Sequence, residues 1–437
     1  MMANLLTKVT RGPALSLRFG SLRASVVALL RCCPARGFPI ICSSMPRTFV
    51  SRKAARFTES VIREMTRLAN ACGAVNLAQG FPDFAASERI KKAACDAIRN
   101  DVNQYAVTWG APALRGALAR KYRKHNGMEV DADRNVTVTC GATEAMISAL
   151  LAVIDPGDEV VIFEPHYENY GPDVILSGAV PRFVHLHEPD WSIDEKELAR
   201  AFNRRTRAIV INTPNNPTGK VFTREELSFI AKLCMKWDAL AVTDEVYEHI
   251  VYEGEHVSMA TLDGMAERTV TTSSLSKTLC ITGWRLGCCI APERITGAIR
   301  KVHDFLTVGA PHPLQIAAAA LLDRPGRLFE DLAEEYRERR ELFYPGLVEA
   351  DLRPLRKPAG AYYVMCDISR FGFPNDTEFA RWLIKDAGIA CVPGSSFYVD
   401  PRQGTGKVRF AFCKKLETLR AAVKRLKNLP KPAGAGK

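Results

Sequence analysis

No aspartate or glutamate occurs before Glu59. Residues 1–58 nevertheless hold ten lysines and arginines, against a formal net charge of +12 for the whole chain. The remainder is therefore nearly neutral, which excludes a basic nucleic-acid or membrane-binding surface for the body of the protein. An acid-free N-terminus rich in Arg, Ser, Ala and Leu has the composition of an organellar transit peptide. Residues 1–55 are expected to be such a leader or disordered. The location expected is the mitochondrion, with the plastid as the alternative and the cytoplasm if the segment is not a leader. ASVVALL at 24–30 is too short for a secretory core and is closed by Arg31. No run of about 18 apolar residues exists, so no membrane-spanning helix is expected.

Other absences narrow the chemistry. The 13 cysteines include no CxxC pair. Adjacent pairs such as Cys32-Cys33 and Cys288-Cys289 suit reduced thiols, the second pair as small core residues. There is no GxGxxG, which argues against a dinucleotide cradle, and GTGK at 404–407 lacks the first Gly and the final Ser or Thr of a P-loop. His185 and His187 can share a strand face, but the sequence offers them no convincing third ligand. No metal site is expected, and no internal repeat is found.

What is present is an alternation. Apolar runs at 135–140, 158–165, 181–186, 207–214, 240–246, 268–274 and 285–292 are separated by helix-period stretches such as TREELSFIAKLCMKWD (223–238). Continuous β-branched runs between helices predict an α/β fold with a mostly parallel sheet covered on both faces. After about residue 320 the pattern changes to long charged helices followed by AYYVMCDIS and KVRFAFCK, which predicts a smaller α+β domain. The 437 residues suit two or three domains.

In an open parallel sheet, ligands sit at the carboxyl ends of the strands. Those ends read CGATEA, EPHYENY, NTPNNPTG, TDEVY and SSLSK. Small residues at Gly141-Ala142-Thr143 entering a helix expose amides to a phosphate, although Thr143 could equally be a cap. Lys277 at a strand end is costly unless used, and its use is as a nucleophilic amine that condenses with a carbonyl. Asp244 likewise suits a pyridinium nitrogen, Tyr247 can point a phenol into the same pocket, Ser274 and Arg285 can hold a phosphate, and Tyr167 can stack on a flat ring. Together these groups describe a pyridoxal 5'-phosphate site.

The sequence resembles the class I/II aminotransferases of fold type I over roughly residues 55–428. The resemblance rests on NNPTG at 215–219, DEVY at 244–247 and SLSKTLCITGWR at 274–285, in that order. LAQGFPDF at 77–84 and NQYAVTWG at 103–110 resemble the subgroup of kynurenine and glutamine transaminases. The resemblance implies that Lys277 binds the cofactor covalently, Asp244 holds the pyridine nitrogen, and Asn216 and Tyr247 bond the ring hydroxyl. It implies that Tyr167 covers the ring, and that Ala142, Thr143, Ser274 and Arg285 bind the phosphate, joined by Tyr105 from a second subunit of a homodimer. Arg409 would clamp the substrate α-carboxylate, assisted by the Gly80 backbone. TESVIREMTRLA (58–69) has no aromatic where the kynurenine transaminases carry one, a departure that concerns the substrate and not the shared chemistry. The implied layout is an N-terminal arm and part of the small domain at 56–88, a large cofactor-binding domain at 89–320, a small domain at 321–428 and a disordered tail at 429–437. The implied activity is ping-pong transfer of an amino group from an L-amino acid to a 2-oxo acid. The alternative on the same residues is a cysteine-conjugate β-lyase or related lyase.

Overall fold

The structure is a computed structural model describing residues 49–429. Most of the basic leader expected at 1–55, and all but the first residue of the tail expected at 429–437, lie outside the described residues. The chain from Arg52 onward forms one unit.

Each apolar run singled out above forms a strand of one eight-stranded sheet. Its spatial order is Val136–Thr139, Gly287–Ile290, Thr269–Ser274, Leu240–Asp244, Thr206–Asn212, Glu159–Glu164, Val180–His187 and Ser192–Ile193. The five strands from Thr269–Ser274 to Val180–His187 pair parallel. Gly287–Ile290 runs antiparallel between its two neighbours, and Ser192–Ile193 is a short antiparallel edge. The connection into Gly287–Ile290 contains only a four-residue helix and a 3-10 turn, so no covering helix is available for a parallel crossover.

Successive side chains of a strand point to opposite faces. Accordingly Val161, Phe163, Ile209, Ile211 and Ala241 enter one core, whereas Val160, Ile162, Ala208, Val210, Val242 and Val270 enter another. Both faces are dry, which is why the runs read as continuous apolar segments rather than as alternation. Cys288 and Cys289 divide between two cores as small buried residues. The helix Arg224–Trp237 is held at its start by a capping box: the Thr223 hydroxyl accepts from the Glu226 amide, and the Glu226 carboxylate accepts from the Thr223 amide.

Past residue 320 the long helix Leu328–Glu349 leads into a four-stranded antiparallel sheet. Its strand Lys407–Ala411 lies between Tyr363–Asp367 and Val392–Pro393 and sets Arg409 opposite Met365 and Val392. Near the N-terminus, Val75–Asn76 pairs parallel with Ile389–Ala390, which anchors the LAQGFPDF segment beside this second sheet.

Ile209 is fully buried in the central sheet, whereas Ile98 is half exposed. Ile209→Ala is expected to lower unfolding free energy by about 2–5 kcal/mol, while Ile98→Ala stays within about 0.5 kcal/mol. Urea unfolding of the two variants checks this ranking.

Candidate active site

The parallel strands end side by side. Asn212, Asp244 and Thr272 occupy matched positions on three neighbouring strands, and the polar residues that follow turn into one cavity. Asp244 is buried and accepts a hydrogen bond from the Tyr170 hydroxyl at 2.7 Å. Burial pushes its carboxyl up to about 6, with the Tyr170 hydrogen bond opposing that rise. Tyr247, one turn beyond, is buried and shares a 2.9 Å hydrogen bond with the Tyr363 hydroxyl.

Ser274 closes its strand and caps the short helix Leu275–Thr278, accepting from the Ser276 amide at 3.0 Å. That helix carries Lys277 into the cavity, where Nζ donates to the Gly80 carbonyl at 3.1 Å and lies 6.0 Å from the centre of the Tyr247 ring. Burial pushes the Lys277 amine down to about 8, so a nucleophilic neutral fraction exists near neutral pH. A side chain at Gly80 would overlap the Tyr363 hydroxyl. The glycine is what allows this carbonyl to approach both Lys277 and the Tyr362 hydroxyl, which donates to it at 3.1 Å.

At the other end, the helix Gly141–Val153 begins directly after its strand, and no side chain caps it. Thr143 lies inside the first turn, so the capping alternative is set aside, and the leading amides are free to face an anion. Arg285 lies beside them, donating to the Thr282 carbonyl at 3.1 Å and the Cys140 carbonyl at 3.4 Å. Its backbone is left-handed, φ +55°, a conformation that costs a non-glycine residue free energy and clusters at functional sites. A Cβ at Gly141 would collide with the Arg285 guanidinium, and one at Gly287 with the backbone of Gly141 and Ala142. Glycine at both positions lets strand, helix start and arginine close into one cup.

Arg409 is 1% exposed. One terminal nitrogen donates to the Asn216 side-chain carbonyl at 2.8 Å and the other to the Ala78 carbonyl at 2.5 Å. The Nε has no partner, and no carboxylate pairs with the guanidinium among the described residues. The rings of Tyr363 and Phe397 lie 4.4 and 5.0 Å from its central carbon.

Gly80, Ala142, Thr143, Tyr167, Asn216, Asp244, Tyr247, Ser274, Lys277, Arg285 and Arg409 therefore line a single cavity of about 1040 Å³, including its open mouth. An uncapped helix start and an arginine at one end, a lysine in the middle, and a buried carboxyl and a ring-covering tyrosine at the other fit pyridoxal phosphate. Tyr105 alone stands apart: it is 83% exposed and does not line this cavity.

Several lining residues were not singled out from the sequence, among them Tyr170, Asp173, Asn212, Ser276 and Tyr363. For Tyr170 a signal existed, since it stands three residues after Tyr167 and so shares its face of a helical turn. The sequence reading of His187 also needs correction. The chain brings Asp194 and Glu197 close to it, which the lack of a convincing third ligand did not anticipate. Both acids are engaged: Glu197 bonds His187 at 2.9 Å, and Asp194 caps a helix.

The profile of the family described as aminotransferase class I and II matches residues 73–426. The chain is 38% identical to the probable N-succinyldiaminopimelate aminotransferase DapC of Mycobacterium tuberculosis, covering 85% of this chain and 96% of that protein. It is 38% identical to kynurenine--oxoglutarate transaminase 1 of Mus musculus, covering 83% and 93%. The methionine aminotransferase of Escherichia coli is 36% identical over 86% of this chain and 97% of its own. Among solved structures, the N-succinyldiaminopimelate aminotransferase of Mycobacterium tuberculosis superposes with a TM-score of 0.84 at 37% identity, covering 87% of this chain and all of that one. The chain belongs to the class I and II aminotransferases and is a pyridoxal-phosphate-dependent enzyme of fold type I.

Proposed function

We propose that the protein moves an amino group between an L-amino acid and a 2-oxo acid in two half-reactions, a reaction like that of the kynurenine--oxoglutarate transaminases. The observation that carries this reading is Arg409. A buried guanidinium without a carboxylate partner is an uncompensated charge, and an incoming carboxylate compensates it with a charge-assisted, two-pronged contact. Asn216 and the Ala78 carbonyl hold the guanidinium in place, so a substrate α-carboxylate seated there lies in the same cavity as Lys277. When bound, the cofactor supplies an electron-accepting ring for the substrate Cα. Asp244 would hold the proton on the ring nitrogen, and Lys277 Nζ would take the Cα proton and deliver it to the cofactor carbon on the far side of the substrate nitrogen. Tyr167 and Tyr247 flank the ring and exclude water from it.

Ser60, Ile62, Arg63 and Glu168 also line the cavity. Ile62 lies in the stretch 58–69, which has no aromatic where the kynurenine transaminases carry one, and this supports a substrate side chain other than a stacked aromatic ring. The homodimer is part of this proposal. Segment 104–108 is tied to residues 303–312 by hydrogen bonds from His303 to the Thr108 carbonyl and between His312 and Gln104. Tyr105, Val107, Phe305, Leu306 and Val308 are all exposed there. An exposed apolar patch of this kind marks an interface, and Tyr105 would reach the partner's phosphate cup from it. The acid-free leader supports import into the mitochondrion.

Lys277→Ala is expected to lower turnover at least ~100-fold, the usual scale of a lost general base, while the purified variant still takes up cofactor; wild-type turnover would contradict the assignment. Arg409→Lys keeps the charge and loses the fork, so KM for the amino acid is expected to rise roughly tenfold or more. Equal KM values in a steady-state assay would remove Arg409 as the carboxylate seat. Because the Lys277 amine is pushed down to about 8, its neutral fraction grows as pH rises through that value. Covalent cofactor capture by the apoprotein is expected to speed up from pH 6 to pH 8 and to level off above it. Stopped-flow absorbance checks this.

A further inference from the structure

The helix Tyr170–Leu176 presents two polar side chains to the cofactor cavity, Tyr170 and Asp173. They are one helical turn apart and so share a face. Tyr170 is accounted for by its hydrogen bond to Asp244. Asp173 is not. It is 7% exposed, and its Oδ2 is buried with no hydrogen-bond partner among the described residues. The backbone of Asp173 is fully engaged, its amide donating to the Asn169 carbonyl and its carbonyl accepting from the Ser177 amide and hydroxyl. Only the carboxyl group is left over.

A buried ionised carboxylate without a partner costs several kcal/mol. None of the elements packed on this helix, Gly141–Val153, Glu159–Glu164 and Val180–His187, brings an ion-pair partner to Asp173. The charged group that acts on it is Asp244, whose like charge and the burial of the site push Asp173 up to about 7, burial contributing more. Asp244 in turn is flanked by Tyr170, Lys277 and Glu245. Burial, and then the like charge of Asp244 in the same cavity, both favour the protonated form of Asp173.

We propose that Asp173 is a positioning residue for the cofactor: the second carboxyl of a pair with Asp244, which together set the negative charge facing the ring nitrogen. In the free protein the pair retains a proton. Once a protonated ring nitrogen is seated against Asp244, its positive charge stabilises ionised Asp173, and the retained proton leaves to solvent. No bond other than O–H and N–H changes. The ring nitrogen then sits in the field of two carboxylates, which makes its protonated form more stable than Asp244 alone would. The inference rests on the seating of the ring nitrogen at Asp244, and the test separates the two.

Asp173→Asn preserves shape and removes the charge. The cofactor-loaded variant is titrated between pH 5 and 10 by the absorbance of its bound cofactor, and cofactor affinity is measured by fluorescence quenching. Loss of a nearby negative charge makes any cationic form of the bound cofactor less stable. The midpoint is therefore expected to fall by about one pH unit, with cofactor affinity weaker by about tenfold. Asp173→Glu, which restores a carboxyl, is expected to recover part of both. An unchanged midpoint in Asp173→Asn overturns the proposal, whatever happens to stability. If that variant does not fold, Asp173→Ser, which removes the charge and leaves room for a water, is titrated to the same criterion. Asp244→Asn is run beside them. An effect at Asp244 with none at Asp173 overturns the pair alone, whereas no effect at Asp244 overturns the seating of the ring nitrogen and the pair with it.

Discussion

Parallel pairing holds Asn212, Asp244 and Thr272 abreast across three strands, and the chemistry of the cavity depends on that register. Side chains alternate faces along a strand, so a slip of one residue would send Asp244 to the opposite face and Thr243 into its place. The slip is opposed by the whole apolar pattern, because Val161, Ile209 and Ala241 would exchange cores with Val160, Val210 and Val242. Packing that has nothing to do with catalysis thus fixes the acid to within the tolerance its role requires.

The cavity is assembled at a cost to stability. Lys277, Asp244, Asp173 and Arg409 are ionisable groups taken largely out of water, and only some of their hydrogen bonds are met by the protein. Arg285 adds a left-handed backbone. Each of these is the kind of local violation that well-packed surroundings sustain at functional sites. The surroundings here are the glycines at 80, 141 and 287, where no Cβ fits, and the tyrosines 247, 362 and 363, whose rings lie 4.9–5.7 Å apart around the lysine.

The sequence was most legible where one physical rule dominated. Dry two-faced strands announce themselves as β-branched runs, and each one singled out is present. Polar letters at their carboxyl ends pointed to one cavity, and eleven of the residues named from sequence converge there. Less legible was anything decided by tertiary approach. The antiparallel course of Gly287–Ile290 follows from a short connection, not from its composition. Tyr363 looked like an ordinary strand residue, because nothing in AYYVMCDIS says that its hydroxyl meets Gly80 and Tyr247. Nothing in YGPDVIL marks Asp173 as buried. Asp194 and Glu197 come near His187 only because the chain doubles back through a two-residue edge strand. Tyr105, named from the resemblance, stays exposed and outside the cavity.

Whether Lys277, Asp244 and Arg409 act on one amino acid in one cavity as an aminotransferase is read from the absorbance of the purified, cofactor-loaded protein on adding single amino acids without any oxo acid. The visible band is expected to be lost with some amino acids, one equivalent of the corresponding oxo acid to be released, and the band to return when a 2-oxo acid is added. Continuous release of ammonia and an oxo acid, with the band persisting and no acceptor required, would contradict it in favour of elimination chemistry.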